Sequence, residues 1–365
     1  MTLRRLTVIW HEAGNSHYHD RFVELSKVAE LTVMGPSSFA GKAFDKEKFR
    51  YPVRLFDSVL TSHWLTYFPR RWSFYAEARK SSILYVHEEP HSLVAFLTAI
   101  TRFRRPMYIE SSAINLKGNF FGLNIFEKFV YRTVTKIIPK NHEVAQVLRK
   151  RGAPSQKISD PIGNGVSRST FSVKNKSAAR TELERKYPQV TGAFQKHGMM
   201  VGYAGRIWRA KGLETLCQLA SDLPINVIVC GPVQDEYLVE KLQDAGVIVL
   251  PSLEENDLRT FYSALDLFIL PSLSTKNWRE QFGRVCIEAI FCGTPAVGSN
   301  VGGIPLVIGI DQTFEPGNIS QMKDRITAMA NEAVRAQVLA WQTAHVDEKF
   351  SWKAIARQVL DVTEY

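Results

Sequence analysis

This chain predicts an α/β fold of two tandem Rossmann-like domains, each built on a parallel sheet, on three observations. Short β-rich runs alternate with helical ones, which implies parallel strands joined by crossover helices. The alternation occurs as two series, separated between Phe171 and Gly198 by a polar stretch rich in Lys, Arg, Ser and Glu that contains Pro188 and Gly192. The length, 365 residues, suits two domains of roughly 150 to 200 residues each. Residues 1–175 are assigned to the first domain, 176–197 to a linker and 198–349 to the second. Two such domains are expected to face each other across a deep cleft lined by the carboxyl ends of their strands, where open α/β sheets bind ligands.

In the first series Leu6–Trp10 reads as a strand, Tyr18–Val28 as a helix and Leu31–Met34 as a strand closed by Gly35-Pro36. Strands follow at Ile83–His87, Met107–Glu110 and Lys136–Lys140, with helices at Ser92–Arg102, Phe121–Thr133 and Glu143–Arg151 between and after them. Asn141 is placed to cap the last of these and Gly152 to stop it. The second series has strands at Met199–Ala204, Asn226–Cys230, Val247–Leu250, Leu267–Leu270 and Pro295–Gly298. Its helices are Leu213–Asp222, Asp235–Asp244, Asp257–Ala264 and Arg284–Cys292.

Composition is that of a soluble globular protein, 45% apolar and 22% charged. No apolar run reaches the ~18 to 20 residues that span a bilayer. The opening MTLRRLTVIWHEAG turns polar too early for a signal peptide, so a cytoplasmic location is expected. Cys217, Cys230, Cys286 and Cys292 lie in apolar contexts without C-x-x-C spacing and read as buried reduced thiols. Lys and Arg number 46 against 36 Asp and Glu, which favours anionic partners: phosphorylated substrates, acidic lipids or nucleic acid. In residues 62–80, SHWLTYFPRRWSFYAEARK, aromatic and basic residues interleave. That is either a surface for peripheral contact with an anionic membrane, on its inner face, or a packed helix with a solvated basic side.

The second series carries the chemistry. The strand Met199–Ala204 runs into GRIWRAKGLETL, which puts Arg206 and Lys211 in the loop after the strand's carboxyl end. Two cations five residues apart, bracketed by Gly205 and Gly212, suit adjacent phosphates, the alternative being a solvated basic loop. Downstream, EQFGRVCIEAIFCGTP spans 280–295 with Glu280 and Glu288 eight positions apart. Gly283 opens the helix that carries Glu288, and amides at a helix N-terminus form an anion site. Cysteines aside, Glu288 is the only ionisable group between Val285 and Ile310. An isolated carboxylate in apolar surroundings costs several kcal/mol unless something binds it; the expected partner is a sugar hydroxyl of a nucleotide's ribose.

Glu-x7-Glu with the upstream Arg and Lys, PSLST at 271–275, the stretch EQFGRVCIEAIFCGTPAVGSNVGGIPLVIG and the terminal FSWKAIARQVL resemble glycosyltransferase family 4, retaining enzymes of the GT-B fold. HEEPHSL at 87–93, ESSAIN at 110–115 and IGNGV at 162–166 resemble family segments of the N-terminal domain. The resemblance implies a nucleoside-diphosphate sugar donor whose diphosphate meets Arg206, Lys211 and the helix start at Gly283, Arg284 and Val285. It puts Glu288 on the ribose, Glu280 beside the donor sugar with Gln281 and Phe282, and the nucleobase near Ser252 and Leu253. Acceptor contacts are implied for His87, Glu88 and Asn115, and a C-terminal helix at about 350–365 is expected to pack back on the first domain. Members often carry a Gly-Gly pair in the first loop, where this chain has HEAGNSH; Gly14 supplies the tight backbone approach and Asn15 tolerates unusual dihedrals. Many also place a histidine at the end of the strand matching Met107–Glu110, and none is present there.

The expected activity is transfer of a hexose-type sugar, with retention, to a saccharide or lipid-linked acceptor in bacterial polysaccharide or glycoconjugate biosynthesis. Arg206, Lys211 and Glu280 form its catalytic set, and the two cations stabilise the leaving diphosphate. No metal or other cofactor is expected, because no two aspartates are separated by one residue. The rival readings are another nucleotide-sugar enzyme, an epimerase or phosphorylase, and a basic non-catalytic protein binding nucleic acid or a membrane surface.

Overall fold

A computed structural model describes residues 4–15, 18–45, 47, 49–63, 65–70, 72–102, 104–112, 123–196, 198–275 and 278–364, with the side chain of Leu123 excepted. The chain divides into two units, one of Met1–Asn164 with Trp352–Tyr365 and one of Gly165–Ser351.

The first unit is built on a six-stranded sheet of β1 (Arg5–Ile9), β2 (Glu30–Pro36), β3 (Val53–Phe56), β4 (Ile83–Val86), β5 (Met107–Ser111) and β6 (Lys136–Pro139). Its spatial order is β3-β2-β1-β4-β5-β6, and every pairing is parallel. This is the doubly wound order, whose direction reverses between β1 and β4. Helices α1 (His19–Ser26), α2 (Trp72–Ala78), α3 (Leu93–Thr101), α4 (Leu123–Thr133) and α5 (His142–Lys150) accompany it. The core joins Ile9, Leu84, Val86, Ile109 and Ile137 from the strands to Val94, Val130, Val144 and Leu148 from the helices. Asn141 caps α5, its side-chain oxygen accepting from the Val144 amide at 2.8 Å, and Gly152 follows at φ +92°. In residues 62–80, Leu65, Tyr67, Phe74 and Tyr75 are buried, while Trp72 is 76% exposed. The interleaved aromatics therefore serve mainly as core, which corrects the expectation of a membrane-facing surface there.

The second unit repeats the plan with β7 (Met199–Ala204), β8 (Ile225–Cys230), β9 (Ile248–Leu250), β10 (Leu267–Leu270), β11 (Ala296–Ser299) and β12 (Thr313–Phe314). The order is β9-β8-β7-β10-β11-β12, again all parallel, with the reversal between β7 and β10. Its helices are α6 (Lys176–Lys186), α7 (Glu214–Asp222), α8 (Glu236–Asp244), α9 (Glu255–Ala264), α10 (Arg284–Phe291), α11 (Ile304–Ile308), α12 (Ile319–Ala328) and α13 (Glu332–Phe350). The polar stretch 176–197 is not a linker: it begins with α6, capped by the Asn175 side chain and packed on α9. A last helix, α14 (Trp352–Thr363), belongs to the first unit and packs on α1, with Trp352 edge-on to Tyr18.

Edge strands β3 and β12 and helices α12 and α13 were not expected from the sequence. β3 and β12 have four and two residues, too few to display a period. Cys230, Cys286 and Cys292 are buried free thiols, but Cys217 is only half-buried. Among the described residues no helix is long and apolar enough to cross a membrane.

Candidate functional site

In the second unit the reversal of strand order leaves a crevice at the carboxyl ends of β7 and β10, the usual ligand position in such sheets. The loops leaving these two strands carry the predicted cations and Glu280. Lys211, at the end of the short helical turn Arg209–Lys211, donates from Nζ to Glu280 Oε2 at 2.5 Å. Ser272 Oγ donates to the same oxygen at 3.1 Å. Both members of the ion pair are mostly shielded, with side chains 12% and 14% exposed. Trp278 covers the ammonium, its ring centre 4.8 Å from Nζ, and Trp208 meets Trp278 edge-to-face at 5.4 Å. Arg206 is exposed and lies over the Trp208 ring at 5.3 Å. Two cations, one carboxylate, a hydroxyl and two indoles thus form one continuous surface, suited to a ligand that is anionic at one end and hydroxylated at the other.

The loop holding Glu280 runs directly into α10. Gly283 caps that helix in a left-handed conformation, φ +78°, without a side-chain hydrogen bond. First-turn amides of a helix have no intrahelical acceptor and carry its positive dipole end, so Gly283, Arg284 and Val285 mark an anion-binding position. Gln281 is exposed, whereas Phe282 is buried against Phe350 at 5.3 Å. Gly302 braces the loop from outside at φ +58°, where a Cβ would overlap the Glu280 carbonyl oxygen.

Glu288 is buried on α10, as its apolar surroundings predict. Its partners come from the fold, which corrects the expectation that a ligand must supply them. Tyr262 on α9 donates to Oε2 at 2.9 Å and Arg284 Nε donates to Oε1 at 3.0 Å. Burial, then the Glu288 charge, hold the Tyr262 hydroxyl well above its ordinary pKa, keeping it a donor. A carboxylate has about four lone-pair positions, so these two bonds leave acceptor capacity. Burial and then Glu280 and Glu288 likewise raise the Cys286 thiol. Ser252 and Leu253 lie in the loop between β9 and α9, Ser252 exposed and Leu253 half-buried. Gly205 sits in the first residue after β7 at φ +147°.

The remaining predicted residues belong to the first unit. Gly14 faces the Phe44 ring, which a Cβ would overlap, so its missing side chain makes room for packing rather than for a ligand backbone approach. Asn15 donates to Glu12 Oε2 at 3.1 Å. His87 is buried, stacked on Trp10 at 4.0 Å, with Nδ1 3.2 Å from Arg21 and Nε2 3.4 Å from Glu110. Burial, then Lys140, Arg21 and His11, push its pKa well below the ordinary value. It has the placement of a neutral structural group. Glu110 is also paired with Arg21 and Lys140 and accepts from Tyr85 at 2.6 Å. Glu88 is buried rather than part of a solvated turn: it accepts from the His11 amide at 2.7 Å and from Tyr67 at 2.7 Å. His11 Nδ1 lies 2.8 Å from Glu88 Oε2. Burial disfavours the His11 imidazolium, yet Glu88 outweighs this and raises its pKa. This histidine–carboxylate pair sits at the β1/β4 reversal and can hold a proton at Nε2. Asn115 lies outside the described residues. Among the described residues no three His, Cys, Asp or Glu side chains converge as metal ligands.

Residues 189–346 match the sequence model of the family described as Glycosyl transferases group 1. A D-inositol 3-phosphate glycosyltransferase of Mycobacterium tuberculosis (strain H37Rv) is 30% identical over 233 residues, covering 60% of this chain and 45% of that protein. The same figures hold for its namesake in Mycobacterium bovis (strain BCG / Pasteur). The chain thus spans about half the length of these curated relatives. A structure of Anabaena Alr3699/HepE in complex with UDP and glucose superposes with a TM-score of 0.71 at 17% identity, covering 99% of each chain. Sucrose-phosphate synthase from Thermosynechococcus elongatus gives 0.70 at 17%, covering 99% of this chain and 98% of that one. The fold is GT-B.

In this GT-B chain, sequence reasoning missed His11, Trp208, Tyr262, Ser272, Trp278 and Gly302. Trp208 had a signal, since it stands between Arg206 and Lys211 in one loop. Gly302 stands in the quoted VGGIP segment beside Gly303. Tyr262, 26 residues before Glu288, had none.

Proposed function

We propose that the chain is a retaining glycosyltransferase of family 4, moving a hexose-type sugar from a nucleoside-diphosphate donor to a hydroxyl of a saccharide or lipid-linked acceptor. Polysaccharide or glycoconjugate biosynthesis is the matching setting. The Lys211–Glu280 pair carries the reading: it lies at the strand-order reversal beside the start of α10, with Arg206 on the same loop. Family-model similarity over 189–346 and structural likeness to a protein that holds UDP and glucose support it.

A diphosphate at the α10 start draws Lys211 and Arg206 onto its oxygens, and their charge stabilises it as it departs. Lys211 then exchanges Glu280 for phosphate, which releases that carboxylate to accept from donor-sugar hydroxyls. Glu288, oriented by Tyr262 and Arg284, uses its remaining lone pairs on the ribose. Retention follows from a same-face route in which the leaving phosphate helps deprotonate the acceptor. The two cations take the place of a divalent ion, so turnover should persist in chelator.

A thermal-shift panel of UDP, GDP, ADP, CDP and dTDP tests the donor site, since binding to the native state raises the melting point by mass action. One nucleotide should give the largest shift. Lys211→Ala should reduce that shift and cut turnover by about 10²–10³-fold, whereas Glu288→Ala should chiefly weaken donor binding. Unchanged nucleotide affinity in both variants would sink the site. A new sugar isomer from NDP-sugar alone would instead identify an epimerase.

A further inference from the structure

The outward face of α4 is at odds with an ordinary solvated surface. Asn124, Ile125, Lys128, Phe129 and Arg132 point outward while Glu127, Val130 and Tyr131 are buried, so the exposed stripe alternates apolar and cationic side chains at helical spacing. Ile125 is 70% exposed and Phe129 36%. Phe129 lies edge-on to Phe96 of α3 at 5.4 Å, and Phe96 stacks on Phe126 at 4.1 Å, so an apolar seam runs from the interior to this surface. One turn beyond Phe96, Ile100 is exposed too.

The charge around the seam is almost all of one sign. From Arg102 to Lys157 the sequence has 12 Lys and Arg against three acids. Two of those acids, Glu110 and Glu127, are buried in pairs with Arg21, Lys140 and Arg151 and contribute nothing outward. Arg104, Arg105, Lys128 and Arg132 are exposed. At the end of α4, Lys157 Nζ donates to the Tyr131 and Arg132 carbonyls at 3.1 and 2.8 Å, adding a cation at the helix terminus. The asymmetry extends to the units: 27 Lys and Arg against 16 Asp and Glu in residues 1–164 and 352–365, but 19 against 20 in residues 165–351.

We infer that the outer face of α4, with the exposed end of α3, docks on an anionic lipid bilayer. Aliphatic Ile100 and Ile125 enter the acyl boundary beside Phe129, while Lys128, Arg132, Arg104 and Arg105 meet the headgroup phosphates. A nucleic acid would reward the cations and stacked rings but gain nothing from exposed isoleucines. The surface differs from the 62–80 segment, whose aromatics are mostly core. The inference is independent of sugar transfer, because vesicle binding is read without turnover.

The test is co-sedimentation of the full chain with vesicles of phosphatidylcholine alone or mixed with phosphatidylglycerol. Binding should require the anionic lipid and be lost in high salt. Lys128→Glu/Arg132→Glu should weaken it by well over tenfold, since each basic residue near such a surface contributes about fivefold. Ile125→Asp/Phe129→Asp should weaken it comparably, both variants keeping the wild-type circular dichroism melt. Tyr237→Asp, at an exposed position of α8 in the other unit, should bind like wild type. Ile125→Trp should show a blue-shifted emission on binding. Absence of vesicle binding, or equal binding to neutral vesicles, would overturn the inference. So would full binding by Ile125→Asp/Phe129→Asp when the charge-reversal variant fails, because that is the behaviour of a general polyanion surface.

Discussion

At the scale of single residues, Gly302 decides where Glu280 lies. Its backbone is left-handed at φ +58°, and the space for a Cβ is occupied by the Glu280 carbonyl oxygen. An alanine there costs about 1 kcal/mol for the conformation alone, and the overlap can be relieved only by moving the 280–282 loop. A displacement of about 1 Å near reacting groups commonly costs about 10²-fold in rate. Gly302→Ala should therefore melt a few degrees lower, lose about 10²-fold in kcat/KM with donor sugar, and show a reduced nucleotide-induced thermal shift. Turnover and shift at wild-type values would mean that this brace has no role in the site. Glu288 illustrates what the sequence tells at this scale. Its need for a partner was legible because nothing ionisable stands near it in the chain. The partner's identity was not, because Tyr262 reaches it only through the packing of α9 on α10.

Elements with a strong apolar period were legible, and those held by charge were not. The strands at Met199–Ala204 and Leu267–Leu270 read correctly because nearly every position is apolar and buried. Helix α6 did not, since KSAARTELERK buries only Ala179 and Leu183 and is anchored by ion pairs. Lys176 and Arg180 bind Asp266 at 3.0 and 2.9 Å, and Lys186 binds Asp257 at 2.5 Å. A polar composition that suggests a linker is here the docking surface of a helix. Asp266 is the hub, because it also accepts from the Met200 amide at 2.8 Å and so ties α6 to β7. Burial works against its charge, but that amide, Lys176 and Arg180 outweigh it and hold the carboxyl below its ordinary pKa. A lowered carboxyl gives stability that is fully present above the unfolded pKa and lost as pH falls through the folded one. At pH 7 Asp266→Ala should cost about 2–4 kcal/mol, since it strands a backbone donor and two cations. Urea unfolding followed at second-unit tryptophans measures this, and a loss below about 0.5 kcal/mol, the size of an ordinary surface change, would show that α6 is not held this way.

On the scale of the whole molecule, the two units share a topology but divide the ionisable groups unequally. Seven of the nine histidines, His11, His17, His19, His63, His87, His91 and His142, fall in the first unit. His87 and His91 are buried, and burial is the largest cause lowering each, assisted by neighbouring cations; His91 is lowered to about 4. Burial also lowers His19. A histidine with a lowered folded pKa binds protons more readily in the unfolded chain, so stability falls as pH drops below about 6.5. For His91 that loss continues to about pH 4 and reaches about 2 kcal/mol by pH 5. His11 acts in the opposite sense: its raised pKa gives stability below the unfolded value that disappears as pH rises through the folded one. Three lowered histidines oppose one raised, so acidification should weaken the first unit. The second unit has only His197 and His345 and should respond less. Hydrogen exchange read by mass spectrometry at pH 7 and pH 5, corrected for intrinsic rate, should show protection lost in peptides covering β4, β5 and β6 before those covering β7, β8 and β10. His91→Gln keeps an acceptor for Arg151, whose NH2 lies 3.0 Å from Nδ1, and removes the titration. That variant should lose about 2 kcal/mol less than wild type between the two pH values; an equal loss in both would assign the acid sensitivity to groups other than this histidine.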